Sequence, residues 1–160
     1  MISQVDIDRF KQIGCIQLRI ELPPEVQHFI LEENYKALDE CLGDFLKNDG
    51  IIYNALLPLG PINKTEYLIA IRKGEDDDEG IWHDDGSREI AFTLSLVSDL
   101  SQLSGGILLF RHKENREKTQ AIPTPPYGTL TIIKTGKDGY EHRVQKVTSG
   151  KRVICAGWIN

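Results

Sequence analysis

Apolar residues fall in two successive rhythms along this 160-residue chain. Between residues 23 and 46 they sit at Val26, Phe29, Ile30, Ala37, Leu38, Cys41, Leu42 and Phe45. That is the i, i+3, i+4 spacing of one amphipathic helix, with Pro23 and Pro24 suited to its first turn. A shorter helix is predicted over 5–13, stopped by Gly14, and a strand over 15–20 separates the two. Asp49-Gly50 marks a turn, after which the texture changes. Strands are predicted over 66–72, 81–85, 89–97, 106–111, 119–122, 129–133, 141–147 and 152–159, divided by Gly, Pro and charged turns. No helical segment lies between them to serve as a parallel crossover. The pattern therefore implies a mainly β fold with N-terminal helices: an antiparallel sandwich or jelly roll, cupin-like, carrying its helices on one outer face. One domain is expected over 1–160, with 1–50 as helical support and 51–160 as the β core.

Composition narrows the setting. A chain of this length buries roughly 70% of its unfolded surface, so a core forms without metal or disulfide staples, and a bound metal would serve chemistry rather than bracing. At 40% hydrophobic and 27% charged residues the chain is ordinary globular, and it has no apolar run long enough to span a bilayer. Asp6 and Asp8 stand where a secretory leader would be basic and apolar, and Cys15, Cys41 and Cys155 form no CxxC pair. A cytoplasmic location with reduced thiols is the expectation. The formal net charge of −5 is confined to one place: Glu75, Asp76, Asp77, Asp78 and Glu79 are consecutive acids, and the remainder is neutral. No Lys/Arg cluster exists to engage nucleic acid. The acidic run reads first as a solvated, mobile loop. Its place just before His83 also suggests a lip that favours a cationic substrate.

Four histidines are available: His28, His83, His112 and His142. His28 falls on the long predicted helix and His112 in a charged turn, where it is a substitute ligand at most. His83 and Asp85 are two apart on a predicted strand, so both side chains share a face. His142 begins another strand 57 residues beyond Asp85. Two imidazoles and a carboxylate on one side of a divalent cation leave about three coordination positions open, as Fe(II) needs to hold a bidentate co-substrate and O2. Ten residues past His142 lies Arg152, sharing a strand face with Ile154, Ala156 and Trp158. A buried guanidinium without an anion is costly, and its planar fork suits a carboxylate arriving with a ligand. A dicarboxylate chelated at one end and salt-bridged at the other meets both requirements.

With these residues in order, the sequence resembles the Fe(II)/2-oxoglutarate-dependent dioxygenases of the prolyl 4-hydroxylase-like group, and among them the bacterial PKHD-type hydroxylases. The likeness runs from Trp82-His83-Asp84-Asp85 through Arg88, the strand from Phe92 to Val97, Gly105-Gly106 and Pro126-Tyr127-Gly128. It ends on His142-Arg143-Val144, Val147-Thr148, Gly150 and Arg152, followed by Trp158. The resemblance implies a double-stranded β-helix in which His83, Asp85 and His142 bind Fe(II) and Arg152 holds the distal carboxylate of 2-oxoglutarate. It also implies O2 as oxidant, ascorbate as a further candidate cofactor, and hydroxylation of an aliphatic C–H. The substrate it suggests is a prolyl residue of a peptide or protein, with a free amino acid or other small molecule as the alternative. Many such relatives carry a pocket-lining tyrosine two residues before a strand-end glycine; here Arg72 precedes Gly74. A non-catalytic cupin-like sensor of a metal or dicarboxylate is a second class of reading. A cupin-type isomerase, the third, has no use for Arg152.

Overall fold

Ser3 and Asp6 start the first helix by capping each other: Asp6 N–H donates to Ser3 Oγ at 3.2 Å, and Ser3 N–H donates to the Asp6 carboxylate at 3.0 Å. This helix, α1, spans Gln4–Ile13 and closes on Gly14 in the left-handed conformation. The computed structural model describes residues 2–160. Strand β1 (Cys15–Arg19) follows as expected.

The long helix predicted over 23–46 is instead two, α2 (Pro24–Leu31) and α3 (Tyr35–Leu46). Asn34 is the reason. Its side chain accepts from Ala37 N–H at 3.2 Å and caps a new helix, while Glu33 turns to positive φ. Local hydrogen bonding thus divides the apolar pattern where it lapses, between Ile30 and Ala37. A fourth helix, α4 (Ile51–Leu56), lies just beyond the turn at Asp49 and was not foreseen in a region read as β.

The remaining strands are β2 (Thr65–Lys73), β3 (Ile90–Ser95), β4 (Ser104–Gly105), β5 (Leu108–His112), β6 (Gln120–Ile122), β7 (Thr129–Lys134), β8 (Tyr140–Val144), β9 (Val147–Ser149) and β10 (Lys151–Ile159). Five form one sheet in the order β1-β7-β3-β10-β2, and three form a second in the order β6-β5-β8. The pairings are antiparallel. The expected strand 141–147 divides into β8, paired with β5, and β9, paired with β4; between them Gln145 N–H still donates to Ile107 O at 2.8 Å.

Alternation along the strands divides the interior into two. Phe92, Leu94, Leu130, Ile132, Val153 and Cys155 face Val26, Ile30, Leu38, Leu42, Ile52 and Leu56 of the helices, forming the main core. Burying a side chain of this size contributes about 1.5–3 kcal/mol. On the other side of the large sheet, Ala91 and Ile133 meet Leu108 and Phe110 of the small one. Smaller and polar side chains there, among them Thr93, Thr131 and Ala156, leave a cavity of about 220 Å³ between the sheets.

Candidate functional site

The segment predicted as strand 81–85 makes a single bridge rather than a ladder, because it runs past the edge of the small sheet and touches β8 at one register position. At that point His83 N–H donates to His142 O at 3.0 Å and His142 N–H donates to His83 O at 2.9 Å. Two of the predicted ligands therefore sit directly opposite each other, with ring centroids 4.5 Å apart. Gly80 allows this approach: a Cβ on it would lie 2.4 Å from Val144 O. The chain then turns, carrying Asp85 round so that its carboxylate stands 3.9 Å from His142 Nε2. One ligand atom from each of His83, Asp85 and His142 lies within 4.8 Å of the others.

Two of the three are held from behind by hydrogen bonds. His83 Nδ1 lies 2.9 Å from Ile81 O, the geometry of an Nδ1–H donor, which leaves Nε2 as the free lone pair. The Asp85 carboxylate accepts from the Thr135 hydroxyl at 2.7 Å, and Thr135 is fully buried at the end of β7. Burial draws the His142 pKa from 6.5 down to about 4, outweighing the opposing pull of Asp85, so its imidazole is neutral at physiological pH. Its Nδ1 is buried without a hydrogen-bond partner. A neutral His142 imidazole, a His83 ring held through Nδ1 and an oriented Asp85 carboxylate fit a divalent cation of the type bound by two histidines and a carboxylate.

His83, His142 and Arg152 line the same cavity, walled by Leu108, Ile133, Ile154 and Trp158. Arg152 is 3% exposed, and its Nε donates to Thr124 Oγ1 at 3.1 Å. No carboxylate pairs with it among the described residues. Burial, then the charge of Arg72, lower its pKa from 12.5 to about 10, with Asp77 opposing; it remains a cation at neutral pH. Gly106, at φ +69°, gives its side chain passage, since a Cβ there would lie 2.7 Å from Arg152 Cδ.

The other candidates lie elsewhere. His28 is on α2 beside Phe29, and His112 stands edge-on to Tyr140 at the end of β5, away from the three-ligand cluster. Trp82 is neither core nor cavity wall: the Arg111 guanidinium covers it at 3.7 Å from the ring centroid. Asp84 pairs with Lys113. The acidic run is only partly free. Asp77 accepts from Arg72 Nε at 2.7 Å and from Val147 N–H at 2.6 Å, while Glu79 accepts from Lys146 N–H at 2.9 Å. Thr135 is the residue that sequence reasoning missed, since nothing in the sequence links it to a carboxylate 50 positions earlier.

The 2OG-Fe(II) oxygenase superfamily model matches residues 70–160. A PKHD-type hydroxylase of Synechococcus sp. (strain CC9902) is 32% identical over 115 residues, covering 68% of this chain and 48% of that protein. The chain spans about half the length of the curated relatives it matches. A Pseudomonas putida prolyl-4-hydroxylase superposes with a TM-score of 0.69 at 15% identity, covering 96% of this chain and 92% of that one. The non-heme alpha ketoglutarate dependent carbocyclase SnoK superposes with a TM-score of 0.70 at 11% identity, covering 99% of this chain and 84% of that one. At such identities the structural likeness concerns the fold, and it bears out the double-stranded β-helix with N-terminal helices.

Proposed function

The chain belongs to the 2OG-Fe(II) oxygenase superfamily, and from that premise we propose that it hydroxylates an aliphatic C–H, with His83, Asp85 and His142 holding Fe(II) and Arg152 holding the far carboxylate of 2-oxoglutarate. The observation that carries this reading is a cluster of three metal-type ligands, two of which, His83 and His142, line one cavity together with a buried arginine that lacks an acidic partner. When bound, Fe(II) would supply the redox chemistry by which O2 oxidises 2-oxoglutarate to succinate and CO2, one oxygen atom entering succinate and the other the substrate C–H.

The chain's own residues position and exclude. Thr135 fixes the Asp85 carboxylate, and the Ile81 carbonyl sets the His83 tautomer, so both ligands are aimed before any metal arrives. Arg152 offers a fork at a distance from the histidines, which favours a ligand with acidic groups at both ends. The aliphatic wall of Leu108, Ile133, Val144 and Ile154 keeps bulk water from the space between.

For the substrate, we favour a prolyl residue in a peptide. The hydroxylase names of its curated relatives and the prolyl-4-hydroxylase with the same fold support this reading. A small molecule is the second reading, supported by the carbocyclase that shares the fold. Among the described residues, no helix is long and apolar enough to cross a membrane.

The test is direct. Anaerobic addition of Fe(II) and then 2-oxoglutarate should produce a weak visible absorption band, and admitting O2 with a panel of prolyl peptides, free proline and small cyclic molecules should yield succinate. Asp85→Ala and Arg152→Ala should both lose the band at moderate 2-oxoglutarate. A wild-type protein without the band would overturn the site, and a band without succinate across the panel would favour a sensor.

A further inference from the structure

Arg72 and Arg152 are direct cross-strand partners in the β2–β10 register, and both line the cavity. Two guanidiniums on one patch of an otherwise largely aliphatic wall repel each other, and neither is in free solvent: Arg152 is 3% exposed and the Arg72 side chain 19%. Among the described residues, the one carboxylate that touches either of them is Asp77, whose Oδ1 accepts from Arg72 Nε at 2.7 Å. Its other oxygen accepts from Val147 N–H at 2.6 Å, so the carboxylate is gripped on both sides and stays beside the pair. Arg72 is held in turn, its Nη2 donating to Asp78 O at 2.5 Å. The acidic run therefore places a fixed negative charge behind the cavity wall, on Arg72, as well as exposed charge on the surface.

We propose that Asp77 is a specificity-determining residue of the anion pocket, reducing the Arg72–Arg152 pair to a net single positive charge that matches a ligand ending in one carboxylate. This rests on the reading of Arg152 as the 2-oxoglutarate anchor, and it goes further by assigning the count of charge at that end to residues outside the ligand set. Coulomb interactions at such separations, partly shielded from water, are strong enough to change affinity several-fold per unit charge. With Asp77 in place, a monoanionic terminus neutralises the wall and a dianionic one overshoots it. Removing the Asp77 charge leaves two positive charges, a better host for any anion and best for a dianion. Removing the Arg72 charge instead leaves Asp77 to compete for Arg152.

The experiment measures binding by calorimetry on the full Mn(II)-loaded chain, with 2-oxoglutarate and with 2-oxo-4-phosphonobutyrate, in which a phosphonate replaces the far carboxylate. Asp77→Asn, which keeps the shape of the side chain, should bind 2-oxoglutarate roughly three- to tenfold more tightly and gain more for the phosphonate. Arg72→Gln should bind 2-oxoglutarate about tenfold more weakly, and Arg72→Gln combined with Asp77→Asn should return to within about twofold of wild type, a rescue that a purely structural role would not give. Unchanged or weaker binding in Asp77→Asn overturns the proposal, even if Arg72→Gln fails to fold. If the wild type binds 2-oxoglutarate and Asp77→Asn does not tighten it, the charge assignment alone fails; if the wild type does not bind it at all, the function proposed above fails as well.

Discussion

The hydrogen bond from Thr135 to Asp85 shows how much of the site depends on a residue that supplies no ligand. Asp85 has two oxygens and freedom about its side-chain bonds; the 2.7 Å bond from a fully buried hydroxyl removes most of that freedom. Thr135 also accepts from Asp85 N–H at 3.3 Å, tying backbone and carboxylate to one point. Thr135→Val preserves volume and branching while deleting both interactions. Metal affinity should fall by about 10- to 100-fold, the usual effect of losing a hydrogen bond behind a ligand. Titration with Mn(II) checks this, and an affinity equal to wild type would show that Asp85 needs no such support.

Elements bring these residues within reach of one another through close backbone approaches. The segment before His83 is not a strand, yet it is held against β8 by Gly80 N–H donating to Val144 O at 2.9 Å and by the reciprocal bonds between His83 and His142. Gly80 has an ordinary backbone conformation, so the constraint is space rather than φ: a Cβ would collide with Val144 O at 2.4 Å. Gly80→Ala should therefore lift the segment from β8 and separate His83 from His142. The expected outcome is a chain with an unchanged far-ultraviolet circular dichroism spectrum and weakened Mn(II) binding; retained affinity would mean that the bridge at His83 holds alone. The division of α2 from α3 is a comparable local decision, made by the Asn34 cap in the gap of the apolar pattern between Ile30 and Ala37.

At the scale of the molecule, helices on one face of the large sheet and the small sheet on the other leave the cavity as the unfilled part of the second interface. The core does not need a metal to form, so metal binding should add to stability without being required for folding. At about 100 times its dissociation constant, a divalent cation should stabilise the fold by about 2.7 kcal/mol, or roughly 5–11 °C in melting temperature for a chain of this size. Melting curves with Mn(II) and with chelator check this; Asp85→Ala should show no such difference, while a chain unfolded in chelator would contradict the account.

Much of this was legible in the residue order, because alternation and local chemistry act over short distances. The period-two runs located most strands, the spacing of His83 and Asp85 with the separate His142 supplied a candidate ligand set, and Arg152 appeared on a cavity-facing strand position. The strand expected over 81–85 was too regular, since a reading by period cannot see that the neighbouring sheet has already ended there. The solvated reading of residues 75–79 missed Asp77 for a related reason: its partner Arg72 is near in sequence, but its second oxygen is held by the Val147 N–H of β9, 70 positions later.

By itself, then, the sequence determined which faces are apolar, where turns must fall and which donor atoms exist. Only the tertiary structure decided that Arg72 stands opposite Arg152, that Thr135 reaches Asp85 and that Asp77 pairs with Arg72. Those contacts depend on strand register, where a shift of one residue sends every side chain to the opposite face, and register is settled by the packing of the whole sheet.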